Sequence, residues 1–412
     1  MPSTRAVMSL EQYLEEILTL VPAPVGTERV ELASAHGRVL AEAVRSSVAV
    51  PAFANSAMDG YAVRWTDVDP VRTSAQAVTL NVVGDVPAGS GDDPSLCAGE
   101  CVRIMTGAPV PTDADTVVPL ELTDGGTTRV TIVEPPPGAA GAYVRHPGED
   151  LAPGALVLDA GTLLSPAAIG ALSGAGVGEV TVRRRPVVAV IATGDELVPA
   201  GRPLGRGQIH DATSLALAAL AADAGCSVVT GPTVPDDEQA FAARLTELAS
   251  TVDLVVVTGG VSVGDHDVAR IVLGDGGNGV FRHVLMQPGK PQGYATWAGT
   301  PVIAVPGNPT SAAVSWHVFV RAAIAALLGL APPSWGRAVA AAPWASPAGR
   351  RQLVPVVTSS GTGGEVLARP AHERGSASHL VTSLARADGL VAVPEDVTHV
   401  QTGTVLPLLR IR

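Results

Sequence analysis

One stretch limits the possible folds more than any other: Asp253–Asp267, which reads DLVVVTGGVSVGDHD. Leu254–Val257 is a short, β-branched apolar run with no polar face, as suits a strand buried on both sides in a parallel sheet. Thr258-Gly259-Gly260 breaks the run, and Ser262, Gly264, Asp265 and Asp267 follow. In an open α/β sheet, ligands bind beyond the carboxyl ends of the parallel strands. Glycines there let backbone N–H groups approach an anion, and the next helix adds its positive end. A bare strand-to-helix turn would also use glycine. Two carboxylates beside an anion-binding loop point further, to a divalent cation that completes a site.

The same alternation extends on both sides. Val187–Ala192 predicts a strand that ends in Thr193-Gly194-Asp195-Glu196, followed by a helix over Thr213–Ala224 with Asp211 as N-cap and Gly225 as C-cap. Ser227–Thr230 reads as a strand, and Pro235-Asp236-Asp237 opens a helix over Glu238–Ser250. A helix near Val268–Leu273, a strand at Val280–Leu285, a loop carrying Lys290 and a strand at Val302–Val305 follow. Asn308 and Pro309 then start a helix over Thr310–Leu328. Residues 186–330 are therefore expected to form a doubly wound, mostly parallel α/β domain. ATGDEL and VTGGVS repeat one device, an apolar strand, Thr-Gly and a polar loop. Two strands can thus deliver Glu196 and Asp267 to one edge, with Thr193, Gly194, Gly259, Gly260, Ser262 and Gly264 as loop positions that approach a ligand.

The flanks read differently. Leu10–Val21 has an amphipathic helical stripe with Ser9 as N-cap, and Glu28–Ala43 predicts a second helical patch. PAFANSAMDGYAVR, from Pro51, is rich in turn formers and carries Asp59. Val78–Val144 falls into short alternating runs, which predict a small β domain. Pro166–Gly174 looks helical and Glu179–Arg184 extended. The expected organisation is a discontinuous helical and extended module (1–50 and 146–185), an inserted β domain (51–145), the α/β domain (186–330) and a C-terminal β domain or barrel (331–412).

Composition excludes some function classes. A net charge of −12 argues against nucleic acid as a partner. The longest apolar runs, Leu215–Ala222 and Ala322–Leu328, fall well short of the ~18 residues of a membrane span, so no membrane partner is expected. The N-terminus lacks the apolar core of a signal peptide. Cys97, Cys101 and Cys226 show neither zinc spacing nor a disulfide framework, which suits a reducing cytoplasm. Of 27 basic residues a single one is lysine, Lys290, in QPGKP. Where arginine holds every other basic position, a lysine in a Gly-Pro loop suits a role for a compact, single-point ammonium.

Asp195, Glu196, Asp236, Asp265 and Asp267 all fall at predicted strand ends or helix starts. Two bare carboxylates ~4 Å apart repel by about 4 kcal/mol at an effective dielectric of ~20. Such a group stays charged with a cation, or with Lys290 and helix N-termini, close by. Carboxylates next to phosphate-holding loops suit Mg²⁺, which shares its shell with water and substrate phosphates. No Walker A loop or CxxC is present.

PAFANSAMDGYAV, IMTGAPVP, HPGED, ATGDEL, GGVSVGDHD, QPGKP and VPGNP, in this order and spacing, resemble the molybdopterin molybdotransferase family (MoeA and the gephyrin E domain). The resemblance covers Ser9 to the C-terminus. It implies four domains per protomer, an elongated homodimer, and Mg²⁺-dependent insertion of molybdate into adenylated molybdopterin with release of AMP. By motif position, Asp59, Asp150, Glu196, Asp236 and Asp267 match the family's functional acids, with Glu196, Asp236 and Asp267 as the Mg²⁺ candidates. Lys290 lies in the matching cationic loop, and Pro306-Gly307-Asn308-Pro309 matches the PGNP loop. The implied dimer would supply Asp59 in trans. Molybdopterin adenylyltransferase and molybdoenzyme chaperones are the protein partners it suggests.

Departures from the family pattern concentrate on charge. Lysine is common in the family where this chain has His283 and Gln287, and aspartate where it has Ala54. Gln287 carries no charge and His283 only part of one near neutrality, which leaves fewer fixed cations for the molybdate oxyanion. Arg282 is a strand neighbour that points to the opposite face. Two other functions use the same fold: a molybdopterin adenylyltransferase, against which the extra β domains speak, and a catalytically weakened binding or scaffold module.

Overall fold

The computed structural model describes residues 7–411 apart from 22, 75, 135, 262–266 and 277. Its described residues form two compact units, one from Arg29–Val182 and one from the chain before and after it.

The second of these is built on a seven-stranded sheet. Its strands are β1 (Val7–Met8), β2 (Val187–Ala192), β3 (Ser227–Val229), β4 (Leu254–Thr258), β5 (Val280–Val284), β6 (Pro291–Trp297) and β7 (Thr300–Val305). The order across the sheet is β1-β5-β6-β7-β4-β2-β3. β4 is fully buried and lies parallel to β2 on one side and β7 on the other, with Val256 opposite both Val190 and Ile303. Its lower end is tied by a bidentate pair. Arg184 donates to both oxygens of Asp253 (2.7 and 2.5 Å), and Val187 N donates to the same carboxylate at 2.7 Å.

Helices cover both faces. α1 (Leu10–Leu20) starts at a capping box between Ser9 and Gln12 and buries Leu10, Tyr13 and Ile17. α2 (Thr213–Asp223) and α5 (Pro309–Leu327) lie on the α1 side, and α3 (Glu238–Ala249) and α4 (Val268–Gly276) on the other. Leu217, Val256 and Phe319 belong to one core cluster, Val257, Phe241 and Leu273 to the other. The alternation of β4 residues between the two clusters is the strand period at work.

The structure corrects the expected sheet in one respect. β6, absent from the sequence reading, is antiparallel to both β5 and β7. Pro291 and Gly293 disguise it, yet Gly293 is required: a Cβ there would lie 2.6 Å from the Phe281 ring that covers it. The helix expected over Thr310–Leu328 forms as α5. It is long and apolar enough to cross a membrane, although 89% of it is buried in the fold. Ser315, His317 and Arg321 interrupt its apolar run. Trp316–Val320 within it is a π turn.

After α5 the chain forms a closed β domain, as the period-2 pattern predicts. Strands Arg351–Ser360, Val366–Pro370, Gly336–Ala340, Val405–Arg410 and Gly389–Val393 follow in that order, and the last pairs back to the first. Met286–Gln287, just after β5, adds to this sheet beside Arg351 and Gln352.

In the Arg29–Val182 unit, Gly60–Val63 is the second strand of a five-stranded sheet, between Thr116–Pro119 at the edge and Glu100–Ile104 at the centre. Tyr61 and Val63 face one buried cluster and Ala62 the other. Trp65–Ser74 is a helix that the sequence reading missed, because Pro70 interrupts its pattern. The helical patch expected over Glu28–Ala43 does not form. Thr27–Glu31 is a strand, Leu32–Ser34 a single 3₁₀ turn, and Gly37 turns with φ of 73°.

His317 is buried, and its Nδ1 has no partner among the described residues. Burial, and then the nearby Arg321 charge, lower its pKa from 6.5 to about 4. The fold therefore favours neutral imidazole, and this contribution is complete above pH ~6.5 and lost as pH falls toward 4. At about 1.4 kcal/mol per unit, wild-type protein should lose ~2 kcal/mol more than His317→Leu between pH 7 and pH 5. Denaturant titrations at the two pH values measure this; equal losses would contradict it.

Candidate functional site

The carboxyl ends of β2, β4 and β7 open into a pocket of about 470 Å³. Glu196, Asp236 and Asp267 line it, together with Thr193, Gly194, Gly259, Gly260, Pro306, Gly307, Asn308 and Pro309. The two Thr-Gly strand ends thus meet at one edge, as expected. Ser262, Gly264 and Asp265 lie outside the described residues.

Backbone packing sets the floor. Gly259 has φ of 97°, and a Cβ on it would lie 2.5 Å from the Thr193 carbonyl oxygen. Gly307 approaches from the third strand, where a Cβ would sit 3.3 Å from Gly259 Cα. Thr213 at the start of α2 donates its hydroxyl to the Gly307 carbonyl at 3.1 Å, and Thr258 donates to that of Pro306 at 3.3 Å. Asn308 precedes α5 and Pro309 occupies its first turn, but the Asn308 side chain makes no capping bond.

The acids are held unequally. Asp236 accepts from the Thr193 hydroxyl at 2.8 Å and from Asp195 N at 3.4 Å, and Asp195 accepts from Asp236 N at 3.2 Å. Asp236 thus braces the β2 loop as well as facing the pocket. Glu196 curls over Gly194, where a Cβ would lie 2.5 Å from a carboxylate oxygen. Among the described residues no lysine or arginine lines this pocket. Among the described residues no three His, Cys, Asp or Glu side chains form a ready-made metal cage. Carboxylates without a full cage suit a cation that takes most of its ligands from water and substrate.

Sequence reasoning missed Asp211, Thr213, His210 and Pro291, all of which line the pocket. Asp211 accepts from the backbone N–H groups of Thr213 and Ser214 and from the Ser214 hydroxyl, so it bonds the first turn from one residue before the N-cap position, which Ala212 holds. No motif marked its second role at the pocket wall.

Lys290 does not line the acid pocket. It lies in an adjoining cavity of about 270 Å³ with Gln287, Arg350, Ser376 and Ser378, and the two cavities share Pro291, Pro306 and Asn308. Its exposed ammonium makes no hydrogen bond or ion pair with the described residues. Arg282, considered as a substitute cation, lies instead beside Glu16 in another cavity. Arg350 is the cation that joins Lys290. Buried Gln292 secures the loop by donating from Nε2 to the Gly289 carbonyl at 2.7 Å and to Ser315 Oγ at 2.6 Å.

Asp59 and Asp150 belong to the Arg29–Val182 unit. There the first three motifs join. Thr106 of IMTGAPVP donates from its backbone N and its hydroxyl to Asp59 Oδ1, at 2.7 and 2.8 Å. These bonds, the backbone one first, hold the Asp59 carboxyl below its ordinary pKa and keep it an anion. Asn55–Ser56 pairs with Val144–Arg145, just before HPGED, and Asp150 N donates to the Val50 carbonyl. Gly60 is forced, since a Cβ would lie 2.0 Å from the Val118 oxygen.

Comparison with known proteins fits this architecture. Residues 8–176 match the MoeA N-terminal region (domain I and II), residues 189–326 a probable molybdopterin binding domain, and residues 337–410 the MoeA C-terminal region (domain IV). The chain is 42% identical over 385 residues to molybdopterin molybdenumtransferase 2 of Mycobacterium tuberculosis, covering 92% of this chain and 93% of the relative. It is 36% identical over 326 residues to the molybdopterin molybdenumtransferase of Haemophilus influenzae, covering 78% of each. The structure of a MoeA protein from Pyrococcus horikoshii superposes with a TM-score of 0.78 at 31% identity, covering 99% of this chain and 100% of that one.

Gln292→Leu would leave the Gly289 carbonyl and Ser315 hydroxyl without this donor. Unpaired buried groups cost about 1–3 kcal/mol, and stability should fall by that amount in a denaturant titration. An unchanged midpoint would show that the loop is held by other means.

Proposed function

The chain belongs to the MoeA family, and from that premise we propose that it inserts molybdate into adenylated molybdopterin, releasing AMP to form molybdenum cofactor. The observation that carries this reading is the pair of adjoining cavities, one acidic and one cationic, at the ends of three strands. The glycine floor accepts the pterin phosphate close to the backbone. Lys290 and Arg350 supply two positive charges, and Ser376 and Ser378 two hydroxyls, for an oxyanion. Arg350 offsets the charge missing at Gln287, which favours the enzyme over a weakened scaffold.

Glu196, Asp236 and Asp267 would hold Mg²⁺, each as a minor part of its shell. When bound, the ion would neutralise phosphate charge and orient the adenylyl link. Thr193 keeps Asp236 in place. Asp59 and Asp150 belong to the proposed machinery by resemblance, in a homodimer. The adenylyltransferase that makes the substrate, and the chaperones of molybdoenzymes, are the proposed protein partners, in the cytoplasm.

Incubation with adenylated molybdopterin, molybdate and Mg²⁺ should release AMP and form cofactor; no AMP release would reject the proposal. Lys290→Ala should raise KM for adenylated molybdopterin at least tenfold, a loss of about 1.4 kcal/mol, with the melting temperature nearly unchanged. Unaltered KM would remove Lys290 from the site. Asp267→Asn should increase the Mg²⁺ needed for half-maximal activity. An equal loss at limiting and saturating Mg²⁺ would argue against a metal role.

A further inference from the structure

Away from both cavities, Arg321, Arg337 and Arg410 line a third, of about 580 Å³. Among the described residues no aspartate or glutamate lines it, although acids outnumber bases in the chain by 39 to 27. None of the three guanidiniums is in an ion pair among the described residues. Arg321 Nη1 donates to the Arg410 carbonyl at 2.9 Å, which fixes the group without neutralising it. Burial of Arg321 lowers its pKa, so the fold keeps this cation partly desolvated against its own charge preference.

Two further observations set the place apart. The π turn Trp316–Val320 immediately precedes Arg321, whose own N–H bonds the Trp316 carbonyl. π turns are rare and concentrate at functional sites. The cavity also lies where the chain leaves α5 and enters the strand Gly336–Ala340, the junction of two domains in one compact unit. Such junctions are common ligand sites. Pro333 and Val366, both partly exposed, supply an apolar wall beside the three cations.

We propose that this cavity binds a phosphate monoester, with the arginines on the phosphate and the apolar wall against its organic body. Three planar donor forks match a dianionic phosphate better than a single carboxylate. The volume exceeds what inorganic phosphate fills and lies in the range of small-molecule pockets. The proposal does not depend on the reaction above, because the cavity shares no lining residue with the acid pocket or the Lys290 cavity.

Calorimetric titration of the full chain with phenyl phosphate and with inorganic phosphate tests it, at constant ionic strength. Wild-type protein should bind phenyl phosphate more tightly than phosphate. Arg337→Ala/Arg410→Ala should weaken phenyl phosphate at least tenfold, and Arg337→Lys/Arg410→Lys should also weaken it, because the forks are lost while the charge remains. Both variants change exposed side chains, and melting temperatures without ligand verify their folding. Lys290→Ala should retain this binding. Wild-type affinity in the alanine variant, full retention with lysine, no preference for phenyl phosphate, or loss in Lys290→Ala alone would each overturn the assignment.

Discussion

Close contact between the ends of β2, β4 and β7 is the constraint on which the candidate site depends. Gly259 sits against the Thr193 carbonyl at a distance that admits no side chain, and Gly307 packs tightly against Gly259. Because the three strands can approach so far, their loops share one rim. Thr193 reaches Asp236, Thr213 reaches the Gly307 carbonyl, and three carboxylates face one pocket. A single methyl group at Gly259 would push these strand ends apart.

The second half of the site is held by a different domain. Met286–Gln287 leaves β5 to join the sheet of the C-terminal domain, beside Arg351 and Gln352. The chain then returns through Lys290 into β6. This excursion brings Arg350, Ser376 and Ser378 to the lysine. Two domains therefore share the cationic cavity, while the acidic pocket is a product of the α/β sheet alone.

Much of this was legible in the sequence, for identifiable reasons. A β-branched run such as Leu254–Val257, with glycine at its end, has few alternatives to a buried strand and a loop at a sheet edge. The acids at those ends, Glu196, Asp236 and Asp267, could be assigned to one side because parallel strands all end there. β6 and the helix Trp65–Ser74 were hidden by Pro291, Gly293 and Pro70, where tertiary packing overrides local preference. Arg350 was not legible as a site residue. It lies 60 positions beyond Lys290 in a domain whose pairing with Met286–Gln287 has no local signature. Nor does spacing reveal that Thr106 holds Asp59, since only the fold brings two turn motifs together.

The most direct test of this account is the affinity of adenylated molybdopterin for Gly259→Ala, compared with Gly201→Ala and wild type. Gly201 has a similar backbone conformation, with φ of 84°, but open space around it and no place in the pocket lining. Both substitutions thus carry the strain of a positive φ, and only the first forces the strand ends apart. The account predicts at least tenfold weaker binding, about 1.4 kcal/mol, in Gly259→Ala and near wild-type binding in Gly201→Ala. Equal affinities in the two variants would contradict it.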